Sequence, residues 1–323
     1  MSFSAIIIIQ GDDYMSEKTF LTIDELINNI KSKNINIKDE NNVRNILETN
    51  NYYFIMGYKF AFKNNSGTYK NDTSFEDIYT LYLFDKMLKL IILDPILEIE
   101  QKLKTIYNNN YSYRYGFKIN DILDKNNYDL SNNYLNDTLL NLDKQLNDFG
   151  SKNKAVMFYR NNHTFIPLWV YMKILSFGMI RDMFYVSKIN DKDFMKNKLT
   201  NEKVNSSEAA NMLRLLVRVR NICCHDDILL SFIDDKLGIK TTRYHSDFNL
   251  KTDKNNNIIQ GKKDLFAILI SIKFFSSKDK FNNLIDNLSK LITDYDKEIG
   301  SLNRNQLLSV MHLPEDFEKL KDL

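Results

Sequence analysis

The residues best suited to acid–base chemistry are Arg220 and His225, five positions apart in the segment Arg-Asn-Ile-Cys-Cys-His. On an ideal helix they are separated by about 140° and about 7.5 Å along the axis, a gap that an Arg side chain can span. They could therefore contact one phosphate, with the guanidinium binding its oxygens and the imidazole moving a proton near neutral pH. Asn221 lies four residues before His225, on the same helical face, and would orient the phosphate or His225. Other histidine-dependent chemistry has few candidates, since the remaining histidines are only His163, His245 and His312.

A helix predicted over 207–232 must position these residues. Its apolar positions Met212, Leu216, Val219 and Cys223 fall on one stripe, which predicts one buried face. Arg214 and Arg218 lie one turn apart and, with Lys203, are weak candidates for contacting RNA phosphates away from the reacting group. A solvated helix face is the competing interpretation.

Hydrophobic periodicity and capping signals predict further helices along the chain. A capping box at 22–25 opens a first helix, and a short one follows at 41–48. A second box at 73–76 opens the longest helix, which runs to about Tyr107 and carries Pro95, so we predict a kink near 91–95. Residues 108–137 have weak periodicity and are predicted to be an insertion. Later helices are predicted over 139–149, 167–186, 264–275 and 282–299.

Composition supports an all-α fold. The 323 residues include only 9 Gly and 3 Pro, too few for the many tight turns of an all-β sandwich. Residues 239–244 and 257–260 are the one place where a small β-hairpin insertion is predicted. Net charge is +2, which neither favours nor excludes a polyanionic partner. The two cysteines are adjacent and no long apolar run occurs, so we expect a cytoplasmic protein without a membrane span.

Several stretches together resemble a known family. They include Asn51-Tyr-Tyr, Thr73-Ser-Phe-Glu-Asp-Ile-Tyr-x-Leu-Tyr-x-Phe-Asp85, Asp94-x-Ile-x3-Glu100, Pro167-Leu-Trp and the Arg220 to His225 segment, in order along residues 21 to 270. The segment Arg220 to His225 is similar to the Arg-x4-6-His signature of HEPN domains. The whole resembles the abortive-infection (Abi_2, AbiD/AbiF-like) branch of the HEPN superfamily.

The resemblance implies an all-α, HEPN-type helical bundle with helical extensions, acting as an RNA-cleaving toxin of phage defence. It implies a homodimer whose cleft forms where two motifs face each other, with a small noncoding RNA as a candidate regulator. With His225 as general base or acid and Arg220 stabilising the phosphate charge, attack by the RNA 2′-hydroxyl would leave 2′,3′-cyclic phosphate and 5′-hydroxyl ends. This chemistry requires no metal and no cofactor.

Four further positions bear on this interpretation. Asp226 stands where many relatives have a second His, and with Asp227 it would repel RNA. Lys173 stands where relatives usually carry Glu, and compensation between it and the Asp pair is one explanation. Glu100 matches a recurrent acid of the long helix and is a candidate to line the cleft. The alternative function is a catalytically inactive HEPN scaffold that binds RNA or a protein partner.

The domain prediction is a single Abi_2/HEPN-like domain over 15–323, with a HEPN core at about 74–232 and C-terminal helices at about 263–323. Residues 1–14 are predicted to be an N-terminal extension that is not native, with Met15 as the native start. An ordered strand at 6–9 is an equally good interpretation. Trp169 and Phe177, eight residues apart on an apolar helix, are predicted to be core residues.

Overall fold

Helices dominate the chain, and the all-α prediction is confirmed. The computed structural model describes residues 20–64, 66–70, 72–298 and 302–323, so the predictions for 1–14, Met15 and the strand at 6–9 lie outside the described residues. Within the described ranges, the β contacts are isolated bridges. The α-helices of these ranges are α1 (Ile23–Ser32), α2 (Glu40–Thr49), α3 (Tyr52–Met56), α4 (Phe75–Arg114), α5 (Ile119–Leu123), α6 (Leu135–Gly150), α7 (Lys154–Asn162), α8 (Leu168–Tyr171), α9 (Phe177–Val186), α10 (Ile189–Leu199), α11 (Ser206–Cys224), α12 (Leu265–Phe275), α13 (Lys278–Glu298) and α14 (Arg304–Val310).

The chain divides into two compact units, with the boundary inside α4 between Tyr79 and Thr80. The prediction of one domain over 15–323 and of a HEPN core at 74–232 stays a prediction. In the first unit α1 packs against α2, and a 3₁₀ helix over Gly57–Phe62 follows α3. Its core side chains are large and aliphatic or aromatic, among them Ile30, Val43, Ile55, Phe62 and Phe75.

Local capping chemistry sets where two helices of this unit begin. Thr22 and Glu25 form the predicted capping box of α1. The second box is shifted by one residue from the prediction. Ser74, not Thr73, caps α4 by accepting from the backbone N–H of Asp77 at 3.1 Å. Asp77 closes this box by accepting the backbone N–H of Ser74 at 3.2 Å, while the Glu76 carboxylate accepts the backbone N–H groups of Lys38 and Asp39.

Helix α4 supplies a long apolar face to the second unit. Leu88, Ile92, Ile96, Ile99 and Leu103 are all buried, at the helical spacing that the sequence predicted. The helix continues through Pro95 to Arg114, seven residues beyond the predicted end. The kink near 91–95 stays a prediction.

The Tyr-rich segment after Tyr107 belongs to the core, so the predicted insertion at 108–137 is wrong. The rings of Tyr107 and Tyr111 are stacked with centroids 4.2 Å apart, and both are fully buried. The hydroxyl of Tyr107 donates to that of Tyr128 at 3.3 Å, and Tyr128 donates to the carbonyl of Ile122. Tyr107 and Tyr111 are four residues apart and therefore lie on one face of α4. The hydrogen bonds of the Tyr107 and Tyr128 hydroxyls offset the free-energy cost of burying these polar groups.

Two other predicted elements differ in their bounds. The helix predicted over 167–186 is split into α8 and α9, because Ser176 accepts from the backbone N–H of Met179 and so starts a new helix. The hairpin predicted between 239–244 and 257–260 is wrong, because 257–260 pairs with a different segment. Residues 257–260 turn back on Lys251 to Asp253 through a Thr252–Ile258 bridge, whereas Arg243–Asp247 forms a 3₁₀ helix.

Candidate functional site

Helix α11 carries Arg220 and Asn221 near its C-terminal end. It begins at a capping box between Asn205 and Glu208 and packs against α9 and α12. The predicted stripe is buried at Met212, Leu216 and Val219, and Cys223 is half-buried. The helix ends at Cys224, eight residues before the predicted end. Since Asp226 and Asp227 would lie at the negative end of the helix dipole, the sequence there disfavours further turns.

His225 is therefore the C-cap of α11 and not a residue of its face. Its backbone is extended (φ −122°, ψ 174°), and its N–H donates to the carbonyl of Ile222 at 3.2 Å. The predicted shared helical face of Asn221 and His225 is accordingly replaced by a cap geometry. Both side chains are exposed to solvent. The His225 imidazole is therefore accessible from solvent directly after the end of α11.

Arg220 is held by a carboxylate from the long helix. Its Nε lies 3.7 Å from Oε2 of Glu100, whose side chain is only 11% exposed. The other oxygen of Glu100 accepts from Nζ of Lys104, one turn further along α4, at 2.8 Å. Nε of Arg220 and Oε2 of Glu100 are buried and make no hydrogen bond, so charge attraction joins them. The structure thus brings together Arg220 and Glu100, 120 positions apart in the sequence.

The outer part of the Arg220 side chain stays accessible. The side chain is 32% exposed, and within the described ranges neither Nη atom has a hydrogen-bond partner. A guanidinium presents five N–H donors in a planar fork. Glu100 therefore holds the Nε end of the Arg220 guanidinium. The N–H donors on the two Nη atoms of Arg220 remain accessible to an anion.

The segment after His225 is anchored by Asp85 of α4. This carboxylate is fully buried, accepts the backbone N–H of Leu229 at 3.3 Å and pairs with Lys89 at 3.2 Å. Asp85 occurs in a stretch that supported the family resemblance, but no role was predicted for it. An acid followed four residues later by Lys occurs three times on α4, and this spacing was the available signal. The ion pair forms at Asp85–Lys89 and Glu100–Lys104, whereas Glu98 pairs with Lys280.

Asp226, Asp227 and Lys173 are exposed. Across the described parts of the chain, no ion pair joins Lys173 to either aspartate. Lys173 follows α8 in a turn where its N–H donates to the carbonyl of Val170. The compensation considered from the sequence therefore has no contact to support it.

Arg214 and Arg218 have a structural partner. Their guanidiniums bind the two oxygens of the fully buried Asp234, at 2.7 and 2.5 Å, and Arg218 also pairs with Asp235. The two arginines thus attach the chain beyond α11 back onto that helix. Sequence reasoning missed Asp234, because its partners lie 16 and 20 residues away across an irregular segment.

Other candidate groups differ sharply in exposure. His245 is buried between Thr242 and the carbonyl of Gly261, and burial lowers its pKa. Burial likewise lowers the pKa of His312. Burial raises the pKa of the Cys223 thiol to about 12. Phe177 is buried, as predicted, but Trp169 is 48% exposed, so its assignment to the core is wrong.

The all-α fold and this polar cluster between α4 and α11 define a helical protein with a buried acid and a half-exposed arginine. A family model described as Abi-like protein (Abi_2) matches residues 45–231, more than half of the chain. The chain belongs to this family, whose name associates it with abortive infection, a phage-defence response. The match includes Glu100, Arg220 and His225. No curated protein and no solved structure gave a match.

In the part of the chain that the structure describes, none of the helices combines the length and apolar character needed to cross a membrane. Over the same residues, His, Cys, Asp and Glu side chains form no group of three that would hold a metal ion.

Proposed function

We propose that the protein is a HEPN-type endoribonuclease that acts as an abortive-infection toxin. The observation that carries the proposal is the arrangement of Arg220, with its inner end held by Glu100 and its outer donors open to solvent, five residues before the exposed His225. This arrangement supplies an anion-binding fork and a group that exchanges protons near neutral pH.

The reaction follows from the chemistry of RNA. The 2′-hydroxyl attacks the adjacent phosphorus as His225 accepts its proton or donates one to the leaving 5′-oxygen. Arg220 stabilises the charge that builds on the phosphate oxygens. The products are a 2′,3′-cyclic phosphate and a 5′-hydroxyl. Asn221, exposed one residue after Arg220, orients the phosphate or His225.

The proposed active form is a homodimer in which two copies of the motif face each other. One exposed His225 per chain then gives two imidazoles across one cleft, which could serve as base and acid. A small noncoding RNA is the proposed regulator, and the cytoplasm is the proposed location.

Growth arrest on induced expression tests the proposal. Wild type should arrest growth and produce new RNA ends bearing 2′,3′-cyclic phosphate. Arg220→Ala and His225→Ala should each reduce those ends by about 10²- to 10⁴-fold. Arg44→Ala is the matched control, since the Arg44 side chain is 35% exposed and pairs with an exposed carboxylate. It should behave as wild type.

The exposed Asp226 and Asp227 favour the second candidate, a scaffold that binds RNA or a protein without cutting. Carboxylates beside the proposed reacting groups disfavour a scissile phosphate at that position, so they count against cleavage there. Under that alternative, toxicity would survive both Arg220→Ala and His225→Ala, and no new cyclic phosphate ends would accumulate.

A further inference from the structure

Aromatic rings meet at the surface where the chain leaves α4 and enters α8. Trp169, the one tryptophan of the sequence, is 48% exposed, and its ring stacks on that of Phe117 with centroids 5.6 Å apart and planes 26° apart. Phe117 is itself 39% exposed and meets Phe165 edge to face at 5.6 Å. Exposed rings that pack on one another in this way leave accessible aromatic surface on which a planar ligand can stack.

Backbone pairing fixes these rings in place. The N–H of Leu168 donates to the carbonyl of Phe117 at 2.7 Å, and the N–H of Ile119 donates to that of Ile166 at 3.0 Å. These two bonds flank an antiparallel bridge between Lys118 and Pro167. Because the rings are already ordered, a ligand that stacks on them loses little free energy in arranging them.

Positive charge lines the adjoining cleft. It has a volume of about 360 Å³, and its walls include Lys118, Arg160, His163 and Phe165 but no carboxylate. Nζ of Lys118 lies over the Phe165 ring, 5.4 Å from its centroid. Arg160 donates through Nη2 to the carbonyl of Leu146 at 3.1 Å, which uses one of its five donors. Neither cation has an ion-pair partner among the described residues.

We propose that this surface binds an unpaired segment of RNA. We call it the aromatic–basic surface and define it by Phe117, Lys118, Arg160, Phe165 and Trp169. Bases stack on the exposed rings, and phosphates contact Lys118 and Arg160. Exposed rings beside cations that lack an ion-pair partner match the bases and phosphates of a single strand, whereas a base-paired helix hides the base faces.

The inference rests on the proposed function, since it takes RNA as the ligand and adds a binding surface that shares no residue with the reacting groups. Stacking tolerates any base, so the surface would hold unpaired RNA with little sequence preference. It would therefore select single-stranded regions of a substrate.

Emission from Trp169 provides a direct probe of this surface. Oligouridylate is titrated into the full chain carrying His225→Ala, which prevents cleavage under the proposed mechanism. We expect saturable quenching of the emission, with affinity that falls as salt is raised. A base-paired RNA of equal length should quench far less.

Variants in the same His225→Ala background locate the contacts. The double variant Lys118→Gln, Arg160→Gln and the single variant Trp169→Ala should each weaken oligouridylate binding about tenfold, measured by anisotropy of a labelled oligomer. Lys63→Gln is the matched control, because that ammonium also lies 5.4 Å from a ring centroid, that of Tyr69. Its affinity should be unchanged.

Unchanged emission, or equal affinity of the parent and the double variant, would overturn the inference. Quenching by an acidic peptide but not by oligouridylate would assign the surface to a protein partner and overturn it as well. The two proposals fail separately. If wild type cuts RNA but these variants bind normally, only the surface is wrong. If the variants lose binding but Arg220→Ala leaves the cut ends unchanged, only the nuclease is wrong.

Discussion

Glu100 is the residue through which the fold acts on Arg220. Its two oxygens are divided between Lys104 and Arg220, and it is almost completely buried. Without its charge, the guanidinium would lose its attachment on α4 and sample other rotamers. Under the proposed function, Glu100 is thus a positioning residue that acts through Arg220.

We expect Glu100→Gln to lower RNA cleavage about ten- to a hundredfold, since small displacements of a positioned group have effects of this size. The purified variant is assayed on a defined RNA for the rate of cyclic phosphate formation. Glu98→Gln is the control, because Glu98 lies on the same helix but is half-exposed and pairs with Lys280. Equal rates for both variants would show that Glu100 has no positioning role.

The adjacent cysteines should differ in reactivity. Burial raises the pKa of Cys223 to about 12 by disfavouring the thiolate. At pH 8 only about one Cys223 in 10,000 is then ionised, so alkylation should proceed at the exposed Cys224 and reach Cys223 only as pH rises toward 12.

Iodoacetamide labelling followed by peptide mass analysis measures the two sites separately, with Cys224→Ser as the control. Rapid modification of Cys223 in folded Cys224→Ser at pH 8 would contradict the assignment.

At the scale of elements, α11 is joined to the irregular chain that follows it through Asp234. This aspartate binds Arg214 and Arg218, and its own N–H donates to the carbonyl of Lys263. Asp234 therefore connects α11, through its carboxylate, to the segment that leads into α12, through its backbone N–H. Arg214 and Arg218, the candidates for contacting RNA phosphates, thus form ion pairs within the chain.

Asp234→Ala should lower the free energy of unfolding by about 2–4 kcal/mol, since it leaves two guanidiniums without their buried partner. Asp235→Ala should cost less than about 1 kcal/mol, because Asp235 is exposed and pairs with the same Arg218. Urea unfolding of both variants measures the difference. Similar losses in the free energy of unfolding for the two variants would show that the burial of Asp234 adds nothing to stability.

The turn between α4 and α5 depends on Gly116. Its φ is +108°, and a Cβ there would lie 2.3 Å from Oδ2 of Asp121, the atom that accepts the N–H of Lys118. We expect Gly116→Ala to cost about 2–4 kcal/mol from backbone strain and this collision.

Gly67→Ala separates these two causes. Gly67 also has positive φ (+81°), but a Cβ added there would meet no atom within 4 Å, so only strain of about 1 kcal/mol is expected. Thermal unfolding compares the two variants. Equal losses would mean that the contact with Asp121 is relieved at no cost.

Several elements followed from the sequence because their causes are local. The capping box of α1 is a short-range pattern, and it is observed. The helix predicted over 264–275 is observed as α12, which begins one residue later. The burial of Tyr107, Tyr111 and Tyr128 was missed because tyrosine counts as polar unless its hydroxyl finds a partner in the fold. The end of α11 was missed because apolar Leu229 and Leu230 continue the pattern after the helix has stopped.

At the scale of the whole molecule, the family match covers 45–231, and α12 to α14 lie beyond it. Arg220 and His225 were named from residue type and spacing as well as by resemblance, and Glu100 by resemblance alone. The contact between Arg220 and Glu100 could not be derived there, since it depends on how α11 packs near α4. The same is true of Asp85 and Asp234, whose partners are distant along the chain.

These contacts underlie the proposal that Arg220 and His225 together cleave RNA. Its sharpest test uses the purified chain on a defined RNA in the presence of a chelator, with the ends identified chemically. We predict 2′,3′-cyclic phosphate and 5′-hydroxyl ends from wild type, and a loss of about 10²- to 10⁴-fold in Arg220→Ala and His225→Ala. Cleavage that persists in both variants would contradict the proposal. Cut ends that carry the phosphate on the 5′ side and a hydroxyl on the 3′ side would contradict it as well.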